Sequence, residues 1–353
     1  MIEIDILPAS TEKNGADSIL LRIGSFSYDN PQHNKQKVIL IDGGYKVTAE
    51  LIEEHLKKHY STNTIDYAFI THPDEDHISG FLELLNRGQV KVKKSYIHDP
   101  WNHKLDLFSR AEDGRRTINS ISSSLDETLS ILSETLDLLG SKNEEVFGVS
   151  SDETLGLSIL GPTEDDYINI LQEFPGMDNE RYMSSESVYT EYEYTYQPTF
   201  KHFLDDPKTS AKNDSSMIIL LKDSKNNPVA LFTGDAGVGS IKKALRNAKK
   251  VGVEYKNVRL MQLHHHGSIK NISEEILDLV NPEQIFVSAP DNNVEHPSKL
   301  VANYIIGNGI PYRHINSSNG IVFYFDTATR RPGWVPVREK EIFPKTIKIK
   351  QGL

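Results

Sequence analysis

Within six positions, His72 to His77, the chain sets two histidines and three acids, "HPDEDH", directly behind the apolar run "YAFIT". His72, Asp74, Asp76 and His77 are imidazole and carboxylate donors, the set that a hard-to-borderline divalent cation takes. Acids this close together repel one another unless a cation stands between them. Taken alone, the stretch also reads as a solvated acidic loop. Two further segments end in the same way. "VALFTGDAG" places Asp235 in a glycine-flanked turn behind an apolar run, and "LMQLHHHGS" places His264, His265 and His266 behind another. If the three runs are strands, their ends meet at one edge of the fold, and their donors can share one centre.

The elements that must position these donors are legible as period and punctuation. "IEIDIL" alternates apolar and acidic residues, which predicts a half-buried strand. "SILLRIGSF" and "KVILIDGG" flank a polar loop, Asp29 to Gln36, that reads as a hairpin connection. Residues 48–60 have helical spacing. "IDYAFITH" predicts a strand, "DHISGFLELLNRG" a helix stopped by Gly88, and "KKSYIHD" a further strand. Ile118, Ile121, Leu125, Leu129, Leu132, Leu136 and Leu139 recur every three or four positions, which predicts one long helix inside the helical segment 113–140. Residues from about 178 to 212 are polar and tyrosine-rich (Tyr189, Tyr192, Tyr194, Tyr196) and read as an insertion. "SSMIILLKD" and "PVALFTGDA" then predict a hairpin turning at Asn226-Asn227. "VGSIKKALRNAKK", "SEEILDLVN" and "PSKLVANYIIGNG" predict helices. "NVRLMQLHHHGS", "QIFVSAP", "PYRHIN" and "GIVFYF" predict strands. Each half runs from strands into strand–helix alternation. The expected class is α/β, with two mixed β-sheets packed together and helices outside, in one domain over 1–325 and a tail over 326–353.

In this order, "ADSILLRI", "VILIDGG", "ITHPDEDHISG", "NDSSMIILL", "LFTGDA", "HHHGS" and "EHPS" resemble the motif run of the metallo-β-lactamase superfamily. The closest likeness is to the hydrolase domain of ComEC/Rec2-type competence proteins, over most of residues 1–325. The resemblance implies a four-layer αββα sandwich and a centre of two divalent metal ions. His72 and Asp74 would hold one ion. Asp76, His77 and His265 would hold the other, with Asp235 bridging. Asp76 would also orient the attacking water, His266 would face the substrate, and His296, before Pro297, would reach a phosphate or a leaving group. Asp74 stands where the family's HxHxDH signature has its second histidine. The added carboxylate shifts the expected metal from zinc toward manganese, so Zn2+ or Mn2+ is expected, with Mg2+ also compatible. Asn213, where the family has N-x-x-S, takes the place of the missing middle histidine, with His202 as the other candidate. Ser268 joins it as a substrate-binding candidate.

Composition bounds what such a centre acts on. With 353 residues, 37% hydrophobic and 25% charged, the chain is of globular type. It has no cysteine, which excludes disulfides and thiolate ligands. No run reaches the ~18 apolar residues of a membrane span, and the start "MIEIDILPAS" lacks the basic and apolar blocks of a secretory signal, so a cytoplasmic protein without membrane insertion is expected. The net charge of −11 opposes a sequence-independent nucleic-acid binder unless cations are local. Lys242, Lys243 and Arg246, with Lys249 and Lys250 on the same predicted helix, are the first candidates; Arg110, Arg115 and Arg116 form a second cluster. The expected function is a metal-dependent phosphodiesterase or nuclease that turns an activated water on DNA or RNA. The alternatives are hydrolysis of a small substrate (a cyclic nucleotide or a phosphoester headgroup) and a non-catalytic binding module with a degenerate site. The expected partners are a nucleic acid or nucleotide substrate, and a partner protein or a second copy of the chain.

Overall fold

The computed structural model describes residues 1–110, 117–152, 155–175, 208–291, 293, 296–327 and 330–332. The first half of the chain builds β1 (Ile2–Ile6), β2 (Ser18–Ser25), β3 (Lys35–Gly43), α1 (Thr48–His55), β4 (Thr64–Phe69), α2 (Glu75–Arg87), β5 (Lys91–Tyr96), α3 (Lys104–Arg110), α4 (Ile118–Thr128), α5 (Ser130–Leu139) and β6 (Asn143–Glu144). The second half builds β7 (Ser150–Asp152), β8 (Leu157–Gly161), α6 (Glu164–Leu171), α7 (Ala211–Asp214), β9 (Ile218–Lys222), β10 (Pro228–Phe232), α8 (Val238–Lys250), β11 (Leu260–Gln262), α9 (Glu274–Val280), β12 (Ile285–Ser288), α10 (Lys299–Gly307) and β13 (Tyr312–Ile315). The last strand, β14 (Ile321–Phe325), returns to the first sheet.

Two seven-stranded mixed sheets result, ordered β14-β1-β2-β3-β4-β5-β6 and β13-β12-β11-β10-β9-β8-β7. In each, an antiparallel run leads into a parallel one: β3 to β6 in the first sheet and β10 to β13 in the second. The strands alternate between two apolar surroundings. Ile19, Leu21, Ile39 and Ile41 meet Ile219, Leu221, Phe232 and Phe286 between the sheets. Leu20, Val38 and Leu40 pack outward with Ile52, Phe81 and Leu84 of the helices, and Leu220 and Leu231 do the same with Ile241 and Leu245 on the far side. Strands buried on both faces read as near-continuous apolar runs, which is why "KVILIDGG" and "SSMIILLKD" carried the signal. The architecture is a four-layer αββα sandwich, two mixed sheets with helices outside, as the resemblance implied.

Three expectations change on contact with the structure. The predicted long helix is two helices, α4 and α5, because Leu129 leaves helical geometry (φ −125°, ψ 37°). The strand β1 is not half-exposed: Glu3 and Asp5 are buried, at 0% and 3% exposure. A sheet covered on both faces leaves those acids no water, so they need protein partners. Arg22 Nε donates to Glu3 Oε2 at 2.9 Å, Tyr60 donates to Asp5 at 2.6 Å, and Arg331 reaches both acids. Arg331, early in the expected tail, therefore meets the first strand. The third difference is an omission: α3, β6, β7, β8, α6 and α7 have no counterpart in the sequence reading, although "LSILG" over 157–161 is buried throughout. Of the tyrosine-rich segment, residues 176–207, with the four tyrosines and His202, lie outside the described residues, as do Arg115 and Arg116.

Candidate metal centre

Parallel strands end together. The C-terminal ends of β3 and β4 in one sheet face those of β10 and β11 in the other, the usual place for a site in α/β sheets. His72 follows β4, and Asp74 sits at the N-cap of α2, which carries Asp76 and His77 in its first turn. Asp235 stands between β10 and α8. The histidine triplet follows β11, but the strand stops at Gln262 and a tight turn takes over. His265 (φ 46°) and His266 (φ 50°) are both left-handed, a conformation that costs a non-glycine residue on the order of 1–3 kcal/mol. The turn is fixed by Gly267 N donating to His264 O at 2.9 Å and Ser268 N to His265 O at 2.9 Å. Gly267 (φ 83°) could not carry a side chain, since a Cβ would meet Pro297 at 2.7 Å. The result is that strand alternation does not apply, and both His265 and His266 swing to the centre.

Asp235 divides the centre in two. Its Oδ2 lies 3.8 Å from His72 Nε2 and 3.6 Å from His265 Nε2, and its Oδ1 lies 3.4 Å from His77 Nε2. Asp74 Oδ2 is 3.6 Å from His72 Nε2 on the first side. On the second, Asp76 Oδ2 is 3.7 Å from His77 Nε2 and 3.1 Å from His266 Nε2. Single ligand atoms of Asp17, His77, Asp235 and His266 all lie within 4.8 Å of one another. Yet His72 Nε2, His77 Nε2, Asp235 Oδ1 and Asp17 Oδ1 are buried without a hydrogen-bond partner. Buried polar atoms are normally paired. Two donors each ~2.1 Å from one tetrahedrally coordinated ion stand ~3.4 Å apart, so the contacts of 3.4–3.8 Å, too long for good hydrogen bonds, fit a shared cation.

A second set of residues aims the first. His77 Nδ1 lies 2.8 Å from Asp42 Oδ2, His266 Nδ1 2.8 Å from the Ser288 carbonyl, and His265 Nδ1 3.0 Å from Asn271 Oδ1. Thr71 donates its hydroxyl to Asp42 at 2.8 Å and accepts from His72 Nδ1 at 3.1 Å. Asn271 can lie only one way round, because its amide nitrogen donates to the Asp235 and Ala236 carbonyls at 2.9 and 3.2 Å. Each ring thus turns its Nδ1–H to an acceptor and aims its Nε2 at the centre, the orientation that a metal ligand needs.

The charges agree. Burial alone would lower the pKa of His77, but Asp235, Asp42 and Asp76 raise it well above its ordinary value. Burial likewise opposes charge on His266, and Asp235, Asp76 and Asp17 carry it up to about 9. Asp235 and Asp76 are lowered by the histidines against burial, whereas burial wins at Asp17 and raises it. The acids hold protons on His77 and His266 that divalent cations would replace. His264 is a bystander: burial pushes it down to about 3, and its Nδ1 pairs with Thr233 Oγ1. His296 is neutral for a similar reason, pushed down to about 3 by burial and by His265 and His266, with ring centroids 5.2 and 6.5 Å from theirs.

The structure brings His72, Asp74, Asp76, His77, Asp235, His265, His266 and His296 together. It pairs them differently from expectation, setting His265 beside His72 and His266 beside Asp76 and His77. Asn213 is buried with its amide nitrogen 3.4–3.5 Å from the His265 ring nitrogens. Ser268 turns its hydroxyl to Lys270 N at 3.2 Å, within its own loop. Lys242 and Lys243 are ion-paired with Glu275 and Asp166, and Arg246 is exposed. Sequence reasoning missed Asp17, Asp42 and Asn271. Asp17 and Asp42 had a signal, an acid just before the apolar run in "ADSILL" and at the close of the run in "VILIDGG"; Asn271 had none.

The family model of the metallo-β-lactamase superfamily matches residues 32–159. None of the curated proteins matches the chain. Among solved structures, the chain is similar to the metallo hydrolase Igni18 from Ignicoccus hospitalis (13% identity, 92% of this chain and 100% of that one, TM-score 0.42). It is also similar to the metallo-β-lactamase fold protein YhfI from Bacillus subtilis (10%, 91% and 99%, 0.42) and to the short form of human tRNase Z (10%, 90% and 98%, 0.40). At these identities and scores the likenesses carry no argument about substrate.

Proposed function

We propose that this chain, a metallo-β-lactamase fold matched by that superfamily's model over residues 32–159, is a metal-dependent hydrolase of phosphodiesters in a nucleic acid or nucleotide. The observation that carries the reading is the buried, unpaired facing of His72 Nε2 and His77 Nε2 across the two oxygens of Asp235. The finer likeness to ComEC/Rec2-type domains rests on motif order alone. His72, Asp74 and His265 are the residues for one ion, and Asp76, His77 and His266 those for the other, with Asp235 between them and Asp17 beside the second. Zn2+ or Mn2+ suits this mixture of imidazole and carboxylate. Divalent ions held there would lower the pKa of a water and offset the charge of an anionic substrate. Asp42, Thr71, Asn271 and the Ser288 carbonyl keep the ligand imidazoles oriented. Asp76, 3.1 Å from His266 Nε2, is placed to orient a water, and His296, neutral with an unpaired Nδ1, offers a hydrogen bond to a leaving group.

A small phosphodiester is the second reading. Lys242 and Lys243 are already paired with Glu275 and Asp166, which weakens the basic helix as a track for a polynucleotide. The test is a panel of DNA, RNA, cyclic nucleotides and a chromogenic phosphodiester, each with Mn2+, Mg2+ and Zn2+, for the wild-type chain and Asp76→Ala. Metal-dependent turnover that Asp76→Ala abolishes is expected. A metal-loaded wild type inert on every member, or an undiminished Asp76→Ala, overturns the reading.

A further inference from the structure

The short helix α7 lies across the first side of the centre, and its residues reach the site one after another. Lys212 Nζ is 3.2 Å from Asp74 Oδ1. Asn213 approaches the ring of His265. Asp214 Oδ1 accepts from Gly237 N and Ser240 Oγ, both at 3.0 Å, and so caps α8 just beyond Asp235. Ser216 Oγ accepts from Asp235 N at 3.1 Å. The register of this segment is thus fixed at several points, and the placement of Lys212 follows from it.

Asp74 has two oxygens and uses them differently: Oδ2 turns to His72 Nε2 at 3.6 Å, and Oδ1 turns outward to Lys212. The side chains of Asp74 and Lys212 are 31% and 22% exposed, whereas Asp17, Asp42 and Asp235 are at 4% or less. Asp74 and Lys212 therefore form the rim of the centre. An ammonium has three donors in a rotatable head. One meets Asp74, and no other partner of the Lys212 ammonium stands among the described residues. Neighbouring lysines are differently engaged: Lys242 with Glu275, Lys243 with Asp166, and Lys46 with Glu83 at 3.3 Å. None of those acids belongs to the centre.

We propose that Lys212 is the oxyanion anchor of this site, gripping a non-bridging oxygen of a phosphate group while Asp74 holds its ammonium over the first ion position. The inference rests on the metal-centre reading above and adds the recognition element to it. An Asp74–Lys212 pair that served only to balance charge would be satisfied by its own contact. Placed at the rim, with two donors that meet nothing among the described residues, it is built to be shared with an anion arriving from solvent.

The experiment compares wild type, Lys212→Met and Lys212→Arg, each metal-loaded as the full chain. Bound Mn2+ is counted by elemental analysis, and inorganic phosphate binding is measured by calorimetry. The expected result is equal Mn2+ in all three, phosphate binding weakened about 10-fold in Lys212→Met, the scale of one lost hydrogen bond to a charged group, and most of it restored in Lys212→Arg. Wild-type phosphate affinity in Lys212→Met overturns the anchor, whether or not its Mn2+ content falls. A wild type that takes up no Mn2+ sinks the metal-centre reading and this inference with it.

Discussion

Replacing Asp42 by Asn removes no volume and touches no proposed ligand atom, yet it should disable the second ion position. Asp42 is 1% exposed and accepts three hydrogen bonds: Thr71 N on Oδ1 at 2.7 Å, and the Thr71 hydroxyl and His77 Nδ1 on Oδ2, both at 2.8 Å. An asparagine has one acceptor end and one donor end. If its oxygen keeps Thr71 N, its NH2 group faces His77 Nδ1. The ring must then carry its proton on Nε2, and the lone pair that should face Asp235 is lost. Loss of such a supporting partner typically costs about 10–100-fold in metal affinity, or about 1.4–2.7 kcal/mol. If the amide instead turns round, its NH2 group opposes Thr71 N, and a buried backbone donor left unpaired costs about 1–3 kcal/mol of stability. The variant cannot escape both outcomes. Competition with a fluorescent chelator reads the first, and urea unfolding of the metal-free chain reads the second. Wild-type values in both would refute the argument that Asp42 fixes the His77 tautomer.

The triplet can be dissected in the same way. His264→Gln should keep full metal content, since His264 pairs with Thr233 outside the centre, while His265→Gln should lose one ion; elemental analysis showing the reverse order removes His265 as a ligand. A pH dependence belongs to a pair away from the centre. Glu145 accepts from His103 Nε2 at 3.1 Å, and that bond raises His103 above 6.5 and, against burial, lowers Glu145 below 4.5. The His103 contribution is complete below 6.5 and is lost as pH rises through its raised folded value, while the Glu145 contribution is present above 4.5 and is lost on acidification. His103→Gln should therefore lower the urea midpoint more at about pH 5.5 than at about pH 9. An equal loss at both would show that the pairing is not ionic.

The three strand-end motifs and the layer order were readable because both are written in local pattern. A strand buried on both faces must be apolar in sequence, and a ligand-rich turn must be polar, so "YAFIT" and "HPDEDH" mark their own boundary. The division of the triplet was not readable. It depends on two left-handed residues whose backbone is set by Gly267 against Pro297, a contact across the turn that no period encodes. Asn271 was unreadable for a related reason: its task is to join His265, six positions before it, to the Asp235 turn, 36 positions before it, and no period encodes that bridge. The break between α4 and α5 escaped because the apolar period runs unchanged through Leu129.

The meeting of Glu3, Asp5, Arg22 and Arg331 bears on the order in which the molecule can be completed. Arg331 leaves the ribosome 328 positions after Glu3. β1 also waits for β14 to cover its outer edge. At ~5–20 residues per second, synthesis holds β1 with one open edge, and its two acids without Arg331, for some tens of seconds. This part of the fold is therefore fastened like a buckle, by joining β14 to β1, rather than grown outward from β1. A chain released short of β14 would carry every proposed metal ligand and still present a bare strand edge to its neighbours, the surface on which sheets of different molecules join.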